Sequence, residues 1–155
     1  MSLPVLPERP LRLSPWSGLL ARAAVFTAYR LAKRSPRRIR AVLTRVRGGA
    51  PAATYEQAKA ARDAVLTVST KCCGPEACLP RSVAVALLCR ARGHWPTWCV
   101  GVIAAPPFQA HAWVEAGGDV VDEPVDASFY ERFFAVPPAG AARGLAGDRP
   151  VEGEK

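Results

Sequence analysis

The stretch from Gly74 to Leu88 limits what this chain can fold into more than any other. Gly74 and Pro75 block a helix arriving from the N-terminal side, and Cys78-Leu79-Pro80-Arg81-Ser82 then runs directly into an apolar, helix-forming series. Pro80 suits a first helical turn, where its missing N–H costs nothing and its φ is already near the helical value. A helix should therefore begin at or just before Cys78, and its unpaired N–H groups and macrodipole favour an anion there. A thiolate is such an anion, and this placement lowers a cysteine pKa.

A cysteine nucleophile needs a base within hydrogen-bond reach and a third group that orients the base. His111 is one of only two histidines. It lies in Ala110-His111-Ala112-Trp113-Val114-Glu115, which reads as a strand and puts His111 on one face with Trp113 and Glu115. Gly117-Gly118 then turns the chain into a further strand over 119–122. The third group depends on the register of that hairpin. A two-residue turn pairs 113 with 122 and brings Asp122 to the His111 face. A three-residue loop with a bulge pairs 113 with 123 and brings Glu123 there instead. Both carboxylates stay open at this point. N–H groups at the start of the Cys78 helix would supply part of an oxyanion hole.

Upstream the chain reads as helices. Residues 1–15 carry four prolines and suggest an extended arm. Leu19, Leu20, Ala23, Phe26 and Leu31 then recur at helical spacing, with Ser14 or Ser17 as N-cap. Ser35-Pro36 breaks and restarts the chain. A basic helix from Arg37 to Arg47 follows, with Ile39, Val42, Leu43 and Val46 on one face, and Gly48-Gly49-Ala50-Pro51 ends it. Thr54 and Gln57 form a capping-box pattern for a third helix to about Thr70. The Cys78 helix is the fourth and should end near Gly93. Trp98 to Ile103 is short and β-branched and reads as the first strand. Trp98, Trp113, Cys89 and Cys99 are expected in the core, Ser82 as a packing or hydrogen-bonding residue, and His94 on the surface or in a loop. Helices followed by a small antiparallel sheet define an α+β domain. The expected organisation is an arm (1–15), one domain (16–137, with a basic helical part at 16–51 and the site in 52–137) and a flexible tail (138–155).

The 155 residues suffice for one domain with a real core, and half of them are hydrophobic. Charge is uneven: residues 1–50 hold 11 Lys or Arg against one acid, whereas the rest hold 10 against 12. The basicity belongs to the N-terminal third, where it can serve a nucleic acid, a membrane surface or an acidic peptide, or simply be a solvated face. Five cysteines, with Cys72 and Cys73 adjacent, form no disulfide framework and fit a reducing cytoplasm. Paired metal-ligand spacings are missing, so neither a metal nor a cofactor is expected. The apolar run near Trp16–Leu31 is interrupted by Arg22 and Arg30 and is too short for a membrane span.

Three segments together carry a family resemblance: Cys78-Leu79-Pro80-Arg81-Ser82; Arg92-Gly93-His94-Trp95-Pro96-Thr97-Trp98-Cys99-Val100-Gly101-Val102; and Pro107-Phe108-Gln109-Ala110-His111-Ala112-Trp113-Val114-Glu115. In this order and spacing they resemble the B2 proteins of lasso peptide biosynthesis, transglutaminase-like leader peptidases, over roughly residues 15–137. The resemblance implies a papain-like cysteine peptidase with Cys78 as nucleophile and His111 as base, the acid falling at Glu123 with Asp122 directly before it. A glutamate there departs from the family's usual aspartate. The implied reaction removes the leader from a ribosomally made precursor and frees the amine that a separate cyclase uses to close a macrolactam. No strands are read in the N-terminal third, so the resemblance implies a separate B1 protein that grips the leader, with the cyclase as a further candidate partner and no nucleic acid. Arg37, Arg38 and Arg40 are the candidate docking residues for that partner or for an acidic leader. Two readings compete: acyl transfer to an amine by the same residues, and a non-catalytic basic module that binds peptide or nucleic acid.

Overall fold

The computed structural model describes residues 4–7 and 11–141. The chain runs through α1 (Pro15–Leu31), α2 (Pro36–Arg47), α3 (Tyr55–Val68), α4 (Cys78–Ala91), β1 (Thr97–Ile103), β2 (Gln109–Ala116), β3 (Asp119–Val120) and β4 (Tyr130–Val136). The strands form one antiparallel sheet in the order β3-β2-β1-β4. This is the expected α+β arrangement of N-terminal helices and a small sheet. The tail expected from residue 138 lies outside the described residues beyond Ala141, as do residues 1–3 and 8–10 of the arm.

Helix α4 is the axis of the fold. It buries Pro80 to Ala86, Leu88 and Cys89, as a helix without a polar face must. Helices α1 and α3 and strand β2 pack around it. Helix α1 meets it through Gly18, Ala21, Ala24 and Ala28, which corrects the stripe read from its larger residues. Leu19 and Phe26 stay exposed, because backbones that approach this closely leave no room for bulky side chains between them. Helix α2 buries only Ile39 and Leu43, while Val42 remains exposed.

The local signals upstream hold well. Ser14 caps α1 by accepting from the Ser17 amide, and Thr54 and Gln57 form the reciprocal capping box of α3. Arg92 is the C-cap of α4, and Gly93 beyond it takes a positive φ of 92°. The sheet is tied to the helices by indoles, the Trp98 Nε1 donating to Ser82 Oγ at 3.1 Å and the Trp95 Nε1 to the Val136 carbonyl at 3.0 Å. Trp95, Trp98, Cys89 and Cys99 are fully buried. His94 sits in the loop before β1 but is buried rather than on the surface. Its amide donates to the Cys89 carbonyl while Trp95 joins Pro51, so the chain passes through the interior at this point.

Strand β4 was not read from the sequence. It pairs with β1 across a register shift between Val100 and Gly101. Gly101 faces His111 on one side and Arg132 on the other. A Cβ at this glycine would collide with the Glu131 backbone carbonyl, so only glycine lets β4 close in at the bulge.

Candidate active site

Cys78 is the first residue of α4, preceded by Ala77 as N-cap with no side-chain capping bond. The loop before it is fixed by Arg81, a buried guanidinium that donates to the carbonyls of Cys72 at 2.9 Å and Gly74 at 3.4 Å. The Ser82 hydroxyl, one turn into the helix, donates to the Leu79 carbonyl and accepts from Trp98. Its role is structural.

Strand β2 brings His111 beside the thiol, where both line one concavity and each shifts the other's titration. Trp113 lies on the same face, its ring 6.0 Å from the imidazole and nearly parallel to it, and Tyr130 of β4 lies 5.6 Å from the imidazole and 5.0 Å from the indole, so the three rings form one cluster. The Trp113 Nε1 donates to Glu115 Oε1 at 2.9 Å and Arg132 reaches Glu115 Oε2 at 3.3 Å, which fixes the indole against the imidazole.

The turn is the two-residue one: Ala116 pairs with Asp119, and Glu115 with Val120. Continued alternation would have placed Asp122 beside His111. Instead Asp122 takes a φ of 47°, a left-handed conformation that aspartate tolerates better than most residues. The strand alternation ends there. The Asp122 carboxylate turns to Arg62 at 3.1 Å and Lys59 at 3.5 Å. Glu123, one residue on, reaches His111 Nε2 at 3.0 Å with its side chain almost fully buried. Thus Cys78, His111 and Glu123 come together, and Asp122 does not join them. Arg62, which sequence reasoning did not single out, is buried in α3 with its other terminal nitrogen 3.9 Å from Glu123. Its signal was a Lys59-Arg62-Asp63 spacing that places all three on one helical face.

Burial opposes ionisation of the Cys78 thiol. The His111 hydrogen bond, the Ala112 amide, and the charges of His111 and Arg81 outweigh it, so its pKa falls below the ordinary thiol value. Burial works against a charged His111 as well, but its bonds to Cys78 and Glu123 and their negative charges raise its pKa to about 9. Thiolate and imidazolium therefore favour one another in this pair. Burial drives Cys89 and Cys99 to about 12 and Cys73 upward. Thiolate character thus concentrates where the histidine is. Among the described residues no group of three or more His, Cys, Asp or Glu is arranged to hold a metal ion.

Two concavities meet at this pair. An open one of about 350 Å³ includes Cys78, Glu76 and Ala110, and a more enclosed one of about 250 Å³ includes Glu123, Tyr130 and several apolar residues. Both share Pro75, Gln109 and His111. Arg37, Arg38 and Arg40 are exposed on α2, where Arg40 lies over the Phe134 ring. Arg37 and Arg40 border a separate shallow concavity that has no residue in common with those at Cys78.

The family profile of the transglutaminase-like superfamily matches residues 21–134. That span runs from α1 into β4 and includes Cys78, His111 and Glu123, and the chain belongs to this superfamily. Its members typically work through a cysteine and include peptidases and acyltransferases. No curated protein and no solved structure matches the chain. Among the described residues no helix is long and apolar enough to cross a membrane.

Proposed function

We propose that this protein is a cysteine peptidase that removes the leader from a ribosomally made lasso precursor. The observation that carries the chemistry is the grouping of Cys78, His111 and Glu123, in which a buried carboxylate holds the imidazole and the imidazole shares a concavity with a thiol whose pKa it lowers. The substrate assignment rests on the three-segment resemblance in the sequence, and superfamily membership supports the coarser half of it.

In this reading the Cys78 thiolate attacks the carbonyl carbon of the last leader residue and a C–S bond forms. The oxyanion faces the N–H groups at the start of α4. Imidazolium His111 gives its proton to the nitrogen of the breaking peptide bond, and the core peptide leaves with a free N-terminal amine. His111, now neutral and held by Glu123, takes a proton from water as the water attacks the thioester. The leader departs as a carboxylic acid and the thiol is restored. A separate leader-recognition protein presents the precursor, and the exposed arginines Arg37, Arg38 and Arg40 of α2 are its docking surface. The freed amine is the nucleophile that a separate cyclase then uses.

The test is to incubate the protein with a lasso precursor, with and without its leader-binding protein, and to weigh the products beside a Cys78→Ala control. A free acid on the leader, lost in the mutant, supports hydrolysis. An amide adduct on the leader supports acyl transfer, the second activity that the superfamily accommodates. No Cys78-dependent product from precursor and partner together overturns the peptidase reading.

A further inference from the structure

The more enclosed cavity beside His111 and Glu123 has no part in the bond-breaking steps, yet it opens onto them. It shares Pro75, Gln109 and His111 with the mouth at Cys78, so a chain lying across the thiol can send a side chain into it. Its walls are mainly apolar, with Ile103, Pro106 and Val125 among them. At about 250 Å³ it falls just short of the ~300–1,000 Å³ typical of small-molecule sites, and so fits one side chain better than a whole ligand.

One wall comes from far away in sequence. Val5 of the N-terminal segment lines the cavity, and its amide donates to the Cys73 carbonyl at 3.0 Å. That bond ties the segment to the loop that leads into Cys78. Val5 is thus a fixed part of the site's border, held by its backbone bond to Cys73 and by packing against the core.

We propose that this cavity is a subsite for one apolar side chain flanking the bond under attack, and that Val5 sets the size of side chain it accepts. The proposal rests on Cys78 acting on peptide acyl groups, as in the function proposed above. It adds the substrate class: an extended peptide with an apolar residue next to the scissile bond. Val5 acts as a specificity-determining wall and touches none of the reacting atoms.

Peptide aldehydes test this without any knowledge of the natural substrate, because the Cys78 thiolate adds to the aldehyde carbon as a reversible hemithioacetal. A series carries Asp, Ala, Val, Leu or Phe at the residue preceding the aldehyde residue, and a second series varies the aldehyde residue itself. Inhibition constants are measured by competition against alkylation of Cys78 by iodoacetamide, read by mass spectrometry. In the native protein one of the two positions should prefer the apolar residues over Asp by at least tenfold. Val5→Phe should weaken the Leu and Phe members at that position by at least tenfold while sparing Ala, and Val5→Ala should shift preference towards Phe. Val125→Trp, from a different wall, should reproduce the Val5→Phe pattern, and thermal unfolding of each variant separates narrowing from misfolding. Size preferences that ignore both walls would overturn the subsite and leave the nucleophile standing. Uniformly tighter binding of all members to Val5→Ala would mean that the arm plugs the site, and would overturn its role as a selective wall. Failure of every aldehyde to protect Cys78 would overturn the nucleophile and the subsite together.

Discussion

Arg62 Nη1 lies 3.1 Å from Asp122 Oδ2, joining the middle of α3 to the residue at which the chain turns out of β3. The guanidinium is buried and Asp122 is only partly exposed. This pairing holds Asp122 in its left-handed conformation and thereby aims the next residue, Glu123, at His111. Removing the arginine would leave Asp122 to Lys59 alone and take the guanidinium away from the buried Glu123. Arg62→Met should therefore destabilise the fold by about 3 kcal/mol, measured by urea unfolding. An unfolding free energy within 0.5 kcal/mol of the native protein's would show that the pair does not hold this corner.

Glu123 should matter for rate more than for folding. Replacing it by Gln keeps the size but removes the charge that helps hold the proton on His111. Turnover of a Cys78-dependent substrate should fall by roughly 10²–10⁴. The alkaline limb of its pH profile should move below the native position, since part of what raises His111 is gone. Asp122→Asn should leave that limb nearer its native place. An Asp122→Asn limb shifted as far as that of Glu123→Gln would reassign the orienting acid.

The ion pair can be read without a substrate. Iodoacetamide alkylates thiolate, so Cys78 should react at lower pH than an ordinary thiol requires, because its pKa is lowered. His111→Ala should move the onset upward. Peptide turnover needs the imidazolium as well, so it should rise as the thiol ionises and fall as pH climbs through about 9. The same raised pKa bears on stability. His111 binds its proton more tightly in the folded chain than at its ordinary 6.5, so this contribution is complete below 6.5 and is lost as pH rises through about 9. Equal alkylation profiles for the native protein and His111→Ala would remove the imidazole as the cause.

Gly101→Ala tests the seam between β1 and β4. Its methyl group would meet the Glu131 carbonyl, and the strands must part or slip to admit it. A loss of about 1–3 kcal/mol is expected, with weaker amide protection along β4 in hydrogen exchange. Native stability in this variant would mean that the bulge yields easily.

Reversing Arg37, Arg38 and Arg40 to Glu should reduce partner-dependent leader cleavage by at least tenfold, or about 1.4 kcal/mol of association. Cys78 alkylation should be unchanged, because these residues border none of the concavities at the thiol. Unchanged cleavage and partner binding would exclude this face as the docking surface.

Local punctuation was the legible part of the chain. Pro80, the Thr54–Gln57 box and Gly117-Gly118 each act within a few residues, and each structure they announced is there. The meeting of Cys78 with His111 was legible too, because helix and strand signals flanked each residue. The acid was left open by strand register alone and pointed to Glu123 only by the family resemblance, since it turns on one backbone angle at Asp122, whose carboxylate is bound by an arginine sixty positions away on α3. The packing of α1 misled for a related reason. Its largest apolar residues gave the strongest periodic signal, whereas the contact surface is made by glycine and alanine. Strand β4 escaped because Glu131, Arg132, Phe133 and Phe134 do not alternate by polarity, and Phe133 faces solvent.

The sheet order β3-β2-β1-β4 also has a bearing on when the site becomes complete. Strands β3 and β4 lie at opposite edges, so the chain between them crosses the whole sheet, and Asp122 and Glu123 ride on that crossing. A polypeptide still leaving the ribosome presents Cys78 first, His111 next and Glu123 after them, all before the strand that pairs on the far side of β1. During translation the chain can therefore gather its thiol, its imidazole and the Arg62-held corner at Asp122 before β4 closes the far edge of the sheet and brings Tyr130 against His111.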